Sequence, residues 1–277
     1  MTSPARRPID KAVILARGLG TRMRRAEPGA TADPAQARMA DAGLKAMIPI
    51  GRPFLDYVIS ALADAGFTQV CLVIGPEHHV VRDYYTTTVA LSRVSLTFAV
   101  QPKPRGTADA VAAAAAFAGP DVFLVLNSDN YYPVEALAAL RALGAPGLLA
   151  FDRDDLIRTS NIEAERIRHY AILDVDEAGF LQRIVEKPDA AFVAARVPPV
   201  IVSMNCWAFG PAIFAACRSI TPSARGELEL PDAVNYAIAA LGERLAAVPA
   251  VGPVLDLSRR GDIASVAAAL AGVEVHL

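Results

Sequence analysis

The stretch Ile14–Met23, which reads ILARGLGTRM, decides the fold of this chain. It overlaps the end of the largely apolar segment Ile9–Leu15, which predicts a buried strand. The glycines at positions 18 and 20 predict a tight turn whose backbone N–H groups can approach an anion closely, because glycine carries no side chain to block them. Arg22 adds a planar guanidinium that suits phosphate oxygens. The stretch therefore predicts a strand that ends in a site for a polyphosphate.

Neither of the two common phosphate-binding motifs is present in this turn. The dinucleotide fingerprint requires a third glycine where Met23 stands. The lysine-containing phosphate loop requires four residues between its glycines and then Lys-Ser or Lys-Thr, and this spacing is missing too. Because a glycine pair alone also occurs in an ordinary turn after a strand, a ligand site needs support from the rest of the chain.

Length and composition predict a globular protein with a full hydrophobic core. The chain has 277 residues, 53% hydrophobic, and a formal net charge of −2. Because the net charge is close to zero, it does not predict binding to nucleic acid or to an anionic membrane. No apolar run approaches the roughly 18 residues of a membrane span, and the first residues lack the apolar segment of a secretory signal.

The cysteines predict a reduced, intracellular environment. Cys71, Cys206 and Cys217 are odd in number and widely spaced within apolar segments, which favours reduced core side chains over a disulfide or a metal site. We therefore expect a cytoplasmic protein with no nucleic-acid or membrane partner. A homo-oligomer is compatible with the sequence.

Hydrophobic periodicity predicts strands that alternate with helices in the first half of the chain. The predicted strands are Ala12–Ala16, Gln69–Ile74, Ser95–Gln101, Val122–Asn127 and Gly147–Phe151. The predicted helices are Pro53–Ala65, Glu77–Tyr84, Thr107–Phe117 with Thr107 as its cap, and Pro133–Leu143. This order predicts a doubly wound, mostly parallel, Rossmann-like α/β sheet.

The second half of the chain predicts antiparallel additions to that sheet. The segments Arg168–Val175 and Phe180–Glu186 alternate in hydrophobicity around the turn 176–179, which predicts a hairpin. Further strands are predicted at Pro199–Phe209 and within Leu245–Leu257, and helices at Ala212–Arg218, Glu229–Leu241 and Asp262–Ala271. No clean linker interrupts the chain, so we expect one domain over 1–277. Residues 26–43, rich in Ala, Pro, Gly and Asp, predict a flexible loop beside the glycine turn.

Polar residues collect where the predicted parallel strands end, which is where α/β sheets bind ligands. The first strand ends in the turn 18–22, the third at Gln101 before Gly106 and Thr107, and the fourth at Asn127 before Asp129. An aspartate directly after a buried strand is costly unless it is exposed or paired with a cation. Mg²⁺ held together with substrate phosphates would be such a cation, and a cap for the next helix is the alternative role.

Together these residues resemble the sugar-1-phosphate nucleotidylyltransferases, among them the glucose-1-phosphate thymidylyltransferases. The resemblance extends from about Ile9 to Asp262. It rests on motifs in the family's order, namely Leu15–Met23, Lys45–Ile50 with Arg52–Phe54, Gln101 with Gly106–Ala110, Asn127–Asp129, Val185–Pro188, and Gly226–Glu229 with Asp256. The resemblance implies a nucleotide-binding half at about 9–150 and a sugar-phosphate-binding half at about 151–277.

The resemblance also implies a reaction and a set of site residues. A nucleotidyl group passes from a nucleoside triphosphate to a sugar 1-phosphate or a cyclitol phosphate, and pyrophosphate leaves. The implied cofactor is Mg²⁺, held by Asp129 and Asp256, with Asp262 as the rival of Asp256. The implied catalytic residues are Arg22, Lys45, Asp129 and Lys187. The implied nucleotide contacts are Leu15, Ala16, Gly18, Gly20, Thr21, Gln101, Gly106 and Thr107. The implied sugar contacts are Tyr170, Glu186, Lys187 and Asn205.

Some features depart from the family pattern, and some choices stay open. Arg17 stands where the family usually has Ala or Gly, and we expect it either to contact phosphate or to point outward; Ser128 and Ala171 stand where glycine is common. The glutamine at 101 favours dTTP or UTP, with ATP, GTP and CTP as alternatives. Two other functions remain open, a cytidylyltransferase for a non-sugar phosphate or phosphonate and a catalytically silent subunit that binds nucleotide sugars.

Overall fold

The computed structural model describes residues 7–27, 29–30, 32–167, 170–186 and 188–277. The strands are β1 (Lys11–Leu15), β2 (Pro49–Ile50), β3 (Arg52–Pro53), β4 (Gln69–Ile74), β5 (Ser95–Val100), β6 (Phe123–Asn127), β7 (Asn130–Tyr131), β8 (Gly147–Asp152), β9 (Ile172–Val175), β10 (Leu181–Val185), β11 (Ile201–Phe209), β12 (Ala246–Ala250) and β13 (Leu255–Asp256). The helices are α1 (Thr21–Arg24), α2 (Pro34–Ala42), α3 (Phe54–Asp64), α4 (His79–Asp83), α5 (Thr107–Ala113), α6 (Ala115–Ala118), α7 (Val134–Leu143), α8 (Arg153–Thr159), α9 (Ala164–Ile167), α10 (Ala190–Ala194), α11 (Ala212–Ser219), α12 (Leu230–Leu241) and α13 (Asp262–Ala269).

Four parallel strands form one side of the nine-stranded sheet, in the order β6-β1-β4-β5, with β5 at its edge. Leu15, the last residue of β1, lies opposite Val73 of β4 and Asn127 of β6. The carboxyl ends of these strands therefore lie at one edge, and the segments that follow them meet there. The predicted doubly wound α/β sheet with antiparallel additions is confirmed.

An antiparallel strand from the second half enters this sheet. β11 pairs with β6 on one side and with β8 on the other, antiparallel to both. The strand predicted over Gly147–Phe151 therefore forms as β8, but it is separated from the parallel strands by β11. The predicted hairpin is present as the antiparallel pair β9–β10. Strands from both halves thus share one sheet, while the functional division at about residue 150 stays a prediction.

Side chains of β1 alternate between two hydrophobic clusters, one on each face of the sheet. Ile14 belongs to the cluster that contains Phe54 of α3, and Val13 belongs to the cluster that contains Trp207 of β11. All four are less than 1% exposed, as expected for a strand covered on both faces. Among the described residues, no helix combines the length and the apolar character that crossing a membrane would require.

The prediction of a flexible loop over 26–43 is wrong for residues 34–42, which form helix α2. The Asp33 carboxylate accepts hydrogen bonds from the N–H groups of Ala35 and Gln36, each at 2.8 Å. The Gln36 side chain accepts in return from the Asp33 N–H at 3.0 Å. This reciprocal capping box satisfies N–H groups that would otherwise be unpaired and so starts a helix in a segment of loop-like composition.

A buried aspartate joins α3 to the segment that follows α4. Asp56 is fully buried, and its carboxylate accepts hydrogen bonds from the hydroxyls of Tyr84 at 2.8 Å and Tyr85 at 2.7 Å. The Arg52 guanidinium donates a third at 3.0 Å. Tyr84, the last residue of the predicted helix, begins a π-helical turn over 84–88 that also contains Tyr85. Both carboxylate oxygens of Asp56 therefore have partners, and removing the carboxylate would leave buried hydroxyl groups without an acceptor.

Candidate active site

Two cavities open side by side at the carboxyl edge of the parallel strands. The first cavity, of about 350 Å³, is lined by the turn after β1 together with Gln101, Gly106 and Thr107. The second cavity, of about 710 Å³, is lined by residues of both halves that include Tyr170 and Asp256. The residues common to both cavities are Gly18, Leu19, Thr21, Lys45, Asn127 and Asp129. Two ligands bound in these cavities would therefore meet at a shared wall.

The turn after β1 has the geometry that its glycines predict. Gly20 adopts φ 60°, and a side chain there would overlap the backbone of Gly43. Gly18 has no atom within 4 Å of the place a Cβ would take, so it leaves open space at the shared wall. Arg22 is exposed and lines the second cavity, and its guanidinium makes no ion pair with the described part of the chain. It is therefore available to an anion.

Gly18→Ala and Gly20→Ala form a matched pair of variants that tests this account of the turn. We expect Gly20→Ala to lower the melting temperature by at least about 2–4 °C, because an L-residue at this φ costs about 1 kcal/mol or more. We expect Gly18→Ala to keep the melting temperature but to weaken binding of a nucleoside triphosphate, since its Cβ would enter the cavities rather than the protein. Thermal melting and calorimetric titration with UTP measure the two effects. Equal melting temperatures for the two variants would contradict this account of the turn.

Lys45 and Asp129 form an ion pair on the shared wall. Lys45 lies in a short 3₁₀ turn at 45–47, and Asp129 directly follows the end of β6. Their side chains are only 20% and 17% exposed. The pair therefore combines a mobile ammonium with a carboxylate at the place where two phosphate-bearing ligands would meet.

A second carboxylate, from far along the chain, lines the second cavity. β13 pairs with β7, which places Asp256 opposite Asn130, and the N–H of Leu257 donates to the Asp129 carbonyl at 2.9 Å. The Asn161 side chain holds the backbone of Asp256 by accepting from its N–H at 2.8 Å and donating to its carbonyl at 3.0 Å. Asp256 therefore faces the second cavity in a fixed position.

The environment of Asp256 disfavours its negative charge. Burial, and then the nearby negative charge of Asp129, raise the pKa of the Asp256 carboxyl to about 6, while the ion pair with Arg166 acts in the opposite direction. The rival carboxylate Asp262 does not line the cavity. It accepts hydrogen bonds from the N–H groups of Ser258 and Arg259, each at 2.9 Å. Of the two alternatives, only Asp256 is placed to hold a ligand in the cavity.

The carboxylates of Asp129 and Asp256 suit Mg²⁺ as ligands. Asp129 and Asp256 offer carboxylate oxygens on one cavity wall, and Mg²⁺ is commonly held by one or two carboxylates plus substrate phosphates. Within the described ranges, no group of three or more His, Cys, Asp or Glu residues is arranged to hold a metal. A metal here would therefore depend on oxygens of the substrate.

The predicted sugar contacts that the structure describes line the second cavity. They are Tyr170, Glu186 and Asn205. The Tyr170 hydroxyl donates to the Asp256 carboxylate at 3.4 Å. Asn205 has φ 57°, the sole positive value at a non-glycine position in the described chain, and it lies where the register of β11 shifts between Ser203 and Trp207. Such strain is often found at binding sites. Lys187, predicted as catalytic and sugar-binding, lies outside the described residues.

The predicted nucleotide contacts line the first cavity or the shared wall, except for Gly20, which lines the second. Leu15 and Ala16 contribute the end of β1 and the start of the turn. Thr107 is wrong as the cap of its own helix, since its hydroxyl instead accepts from the N–H of Leu230 at 2.9 Å, at the start of α12. It thus fastens α12 to the wall of the first cavity.

Sequence reasoning missed three arginines that line the second cavity, namely Arg166, Arg225 and Arg259. Arg225 directly precedes the Gly226–Glu229 motif and could have been found from it. Arg166 carries no local signal, because its carboxylate partners Asp256 and Asp262 lie in a distant segment. Arg259 pairs with Asp262 nearby and with Glu163 far along the chain. Of the two expectations for Arg17, the outward direction is wrong, because the residue is buried beside Gln101.

Comparison with known proteins identifies the family. A family model described as Nucleotidyl transferase matches residues 11–250. Similar relatives include the low-salt glycan biosynthesis nucleotidyltransferase Agl11 of Haloferax volcanii, 28% identical over 81% of this chain and 56% of the relative. Another, from the same organism, is the UTP–glucose-1-phosphate uridylyltransferase AglF, 26% identical over 89% of this chain and 90% of the relative. A glucose-1-phosphate thymidylyltransferase of Streptomyces griseus is 29% identical over 82% of this chain and 57% of the relative.

Solved structures confirm the fold. A UDP-glucose pyrophosphorylase complexed with UDP-glucose superposes with a TM-score of 0.74 at 18% identity, over 96% of this chain and all of that one. The UTP-bound enzyme from Acinetobacter baumannii gives 0.74 at 21% identity, over 96% and 95%. The chain belongs to the nucleotidyl transferase family, as its motifs predicted. It spans little more than half the length of Agl11 and of the Streptomyces relative.

Proposed function

We propose that this protein transfers a nucleotidyl group from UTP or dTTP to a sugar 1-phosphate, or to a cyclitol phosphate, and releases pyrophosphate. The observation that carries the proposal is the shared wall, where Lys45 and Asp129 line both cavities at once. The names of the uridylyl- and thymidylyl-transferring relatives support this choice of nucleotide. A cytoplasmic location fits the three cysteines, which are buried and free.

In the proposed reaction, a phosphate oxygen of the sugar 1-phosphate attacks the α-phosphorus of the triphosphate. A new P–O bond forms, the bond between the α-phosphorus and the bridging oxygen breaks, and its electron pair leaves with pyrophosphate. No general base is required, because the attacking oxygen is already ionised at neutral pH. Catalysis then consists of alignment and of neutralising charge between two anions.

We assign these functions to residues that line the two cavities and to Lys187, which lies outside the described residues. The backbone of the turn 18–20 would bind the triphosphate, and Arg22 and Lys45 would neutralise the negative charge that builds up as pyrophosphate leaves. Lys187 would bind the sugar phosphate, and Tyr170, Glu186 and Asn205 would hydrogen-bond the sugar hydroxyls. Asp129 and Asp256 would hold Mg²⁺, which when bound neutralises phosphate oxygens.

The test is pyrophosphate release by the purified chain, measured with and without Mg²⁺ against a panel of triphosphates and phosphate acceptors. We expect turnover that requires both Mg²⁺ and a sugar 1-phosphate or cyclitol phosphate. Turnover with CTP and a non-sugar phosphate alone would favour the cytidylyltransferase alternative. Binding of a nucleotide sugar without turnover of any pair would favour the silent subunit. Either result would overturn the proposal.

A further inference from the structure

Two cations of the proposed reaction stand at the two ends of one segment, residues 21–42. Arg22 lies near its start and lines the second cavity, and Lys45 follows its end and lines both cavities. Arg22 belongs to α1, a helix of four residues whose N-terminus has no side-chain cap. So short a helix is not stable by itself. The position of Arg22 must therefore be fixed by contacts with other segments.

Segment 21–42 leaves the sheet and returns to the same place. A Cβ added at Gly20 would lie 2.3 Å from the Gly43 carbonyl oxygen, so the backbones of these two glycines are in contact. Beside this contact, the Arg24 guanidinium donates to the Ala42 carbonyl at 2.8 Å. The first helix of the segment, α1, therefore lies next to the end of α2.

Arg260 holds both of these helices. Its Nε donates at 3.0 Å to the carbonyl of Met23, the neighbour of Arg22. Its Nη2 forms an ion pair with Asp41, which lies in the last turn of α2 and four residues before Lys45. The Arg260 side chain is only 15% exposed. One guanidinium thus joins a residue beside the first cation to a residue shortly before the second.

Gly261 adds a second attachment. Its N–H donates to one carboxylate oxygen of Glu27 at 2.7 Å, and the other oxygen lies 3.4 Å from the Arg259 guanidinium. Arg259 lines the second cavity, as does Asp256 three residues earlier. Segment 21–42 is therefore fastened to the part of the chain that carries the carboxylate of the second cavity.

We propose that Arg260 is a positioning residue, which holds Arg22 and Lys45 where they can bind the β- and γ-phosphates of a nucleoside triphosphate. Arg260 lines neither of the two cavities, so it acts through the Met23 carbonyl and Asp41 and not by touching a ligand. Without its guanidinium, α1 loses a hydrogen bond and α2 loses an ion pair. The inference rests on the proposed function, which assigns both cations to the departing pyrophosphate.

The experiment is calorimetric titration of UTP and of UMP, with Mg²⁺ and without a phosphate acceptor, into the wild type and into Arg260→Met. UMP lacks the β- and γ-phosphates, so the ratio of its Kd to the Kd of UTP reports the contacts to those phosphates. We expect this ratio to fall at least about fivefold in Arg260→Met, since a hydrogen bond to a charged group commonly contributes this much. The titrations require no turnover. dTTP and dTMP replace the uridine nucleotides if the wild type binds dTTP more tightly.

Arg153→Met is the matched control. The Arg153 side chain is similarly shielded, at 22% exposed, and pairs with Asp154, but it lines neither cavity. We expect its ratio to equal that of the wild type. Melting temperatures are measured for both variants, because a general loss of stability weakens binding of UTP and UMP together and leaves their ratio unchanged.

Asp41→Leu and Asp41→Asn test the same contact without replacing Arg260. The Asp41 side chain is 69% exposed, so we expect both variants to fold. Leucine removes the acceptor and the ratio falls, whereas asparagine keeps an oxygen that accepts from the guanidinium and retains most of the ratio. An unchanged ratio in Asp41→Leu, or in folded Arg260→Met, would overturn the inference, as would a wild type that binds UTP no more tightly than UMP. Absence of turnover in a wild type that shows the expected ratios would instead refute the proposed function.

Discussion

We expect Asp129→Asn to lower the turnover number for pyrophosphate release by at least about a hundredfold. The substitution keeps the size of the side chain but removes the charge that would hold Mg²⁺ and that pairs with Lys45 on the shared wall. Because the side chain is only 17% exposed, water cannot replace the lost interaction fully. Steady-state kinetics at saturating triphosphate and acceptor measure the effect.

Three further variants show whether turnover falls only when a carboxylate that lines the cavities is replaced. Asp256→Asn should also cause a large loss, and Asp262→Asn a smaller one, because only Asp256 lines the second cavity. Asp154→Asn is the control, since this exposed aspartate at the start of α8 faces neither cavity. Turnover of Asp129→Asn near that of Asp154→Asn would remove Asp129 from the proposed machinery.

The second large effect is expected on stability. Asp56→Ala removes the acceptor for two tyrosine hydroxyls and for Arg52, and Tyr85 is only 5% exposed. Breaking a buried charged cluster from one side costs about 3 kcal/mol or more, because the remaining polar groups stay buried without partners. For a protein of this size that loss lowers the melting temperature by roughly 6–12 °C. Differential scanning calorimetry measures it.

Asp64→Ala supplies the control on the same helix. Asp64 ends α3 and pairs with Arg93 at 2.6 Å, but both side chains are more than a third exposed. Exposed ion pairs contribute about 0–1 kcal/mol, so we expect a shift of at most about 4 °C. If the two variants melted at the same temperature, the Asp56 cluster would have no special structural role.

The parallel core was predictable because its signal is local. Each parallel strand, such as Gln69–Ile74, is a short, mostly apolar run, as expected for a strand covered on both faces. The insertion of β11 between β6 and β8 was not predictable, because it depends on pairing between residues about 80 positions apart, such as Trp207 and Val125. Helix α2 did carry a local signal, the capping box of Asp33 and Gln36, which an analysis by composition overlooks.

The site shows the same contrast between local and distant determinants. Strand ends predicted Asp129 and Gln101, because the carboxyl edge of a parallel sheet gathers whatever follows its strands. Lys45 was predicted from the family motif at 45–50. The direction of Arg17 could not be read from the motif, since it depends on the Gln101 carbonyl and on Glu77 in other segments. In the same way, Arg166 is held by two carboxylates, Asp256 and Asp262, which lie 90 and 96 residues away.

The register in which β13 pairs with β7 determines which side chain of β13 lines the second cavity. Successive residues of a strand point to opposite sides, so sliding β13 by one position would exchange Asp256 for Leu255 or Leu257. Both leucines are buried, and either would place a hydrocarbon side chain in the second cavity where Asp256 now offers a carboxylate. The length of the connection after β12 is therefore as much a determinant of the chemistry as the aspartate itself.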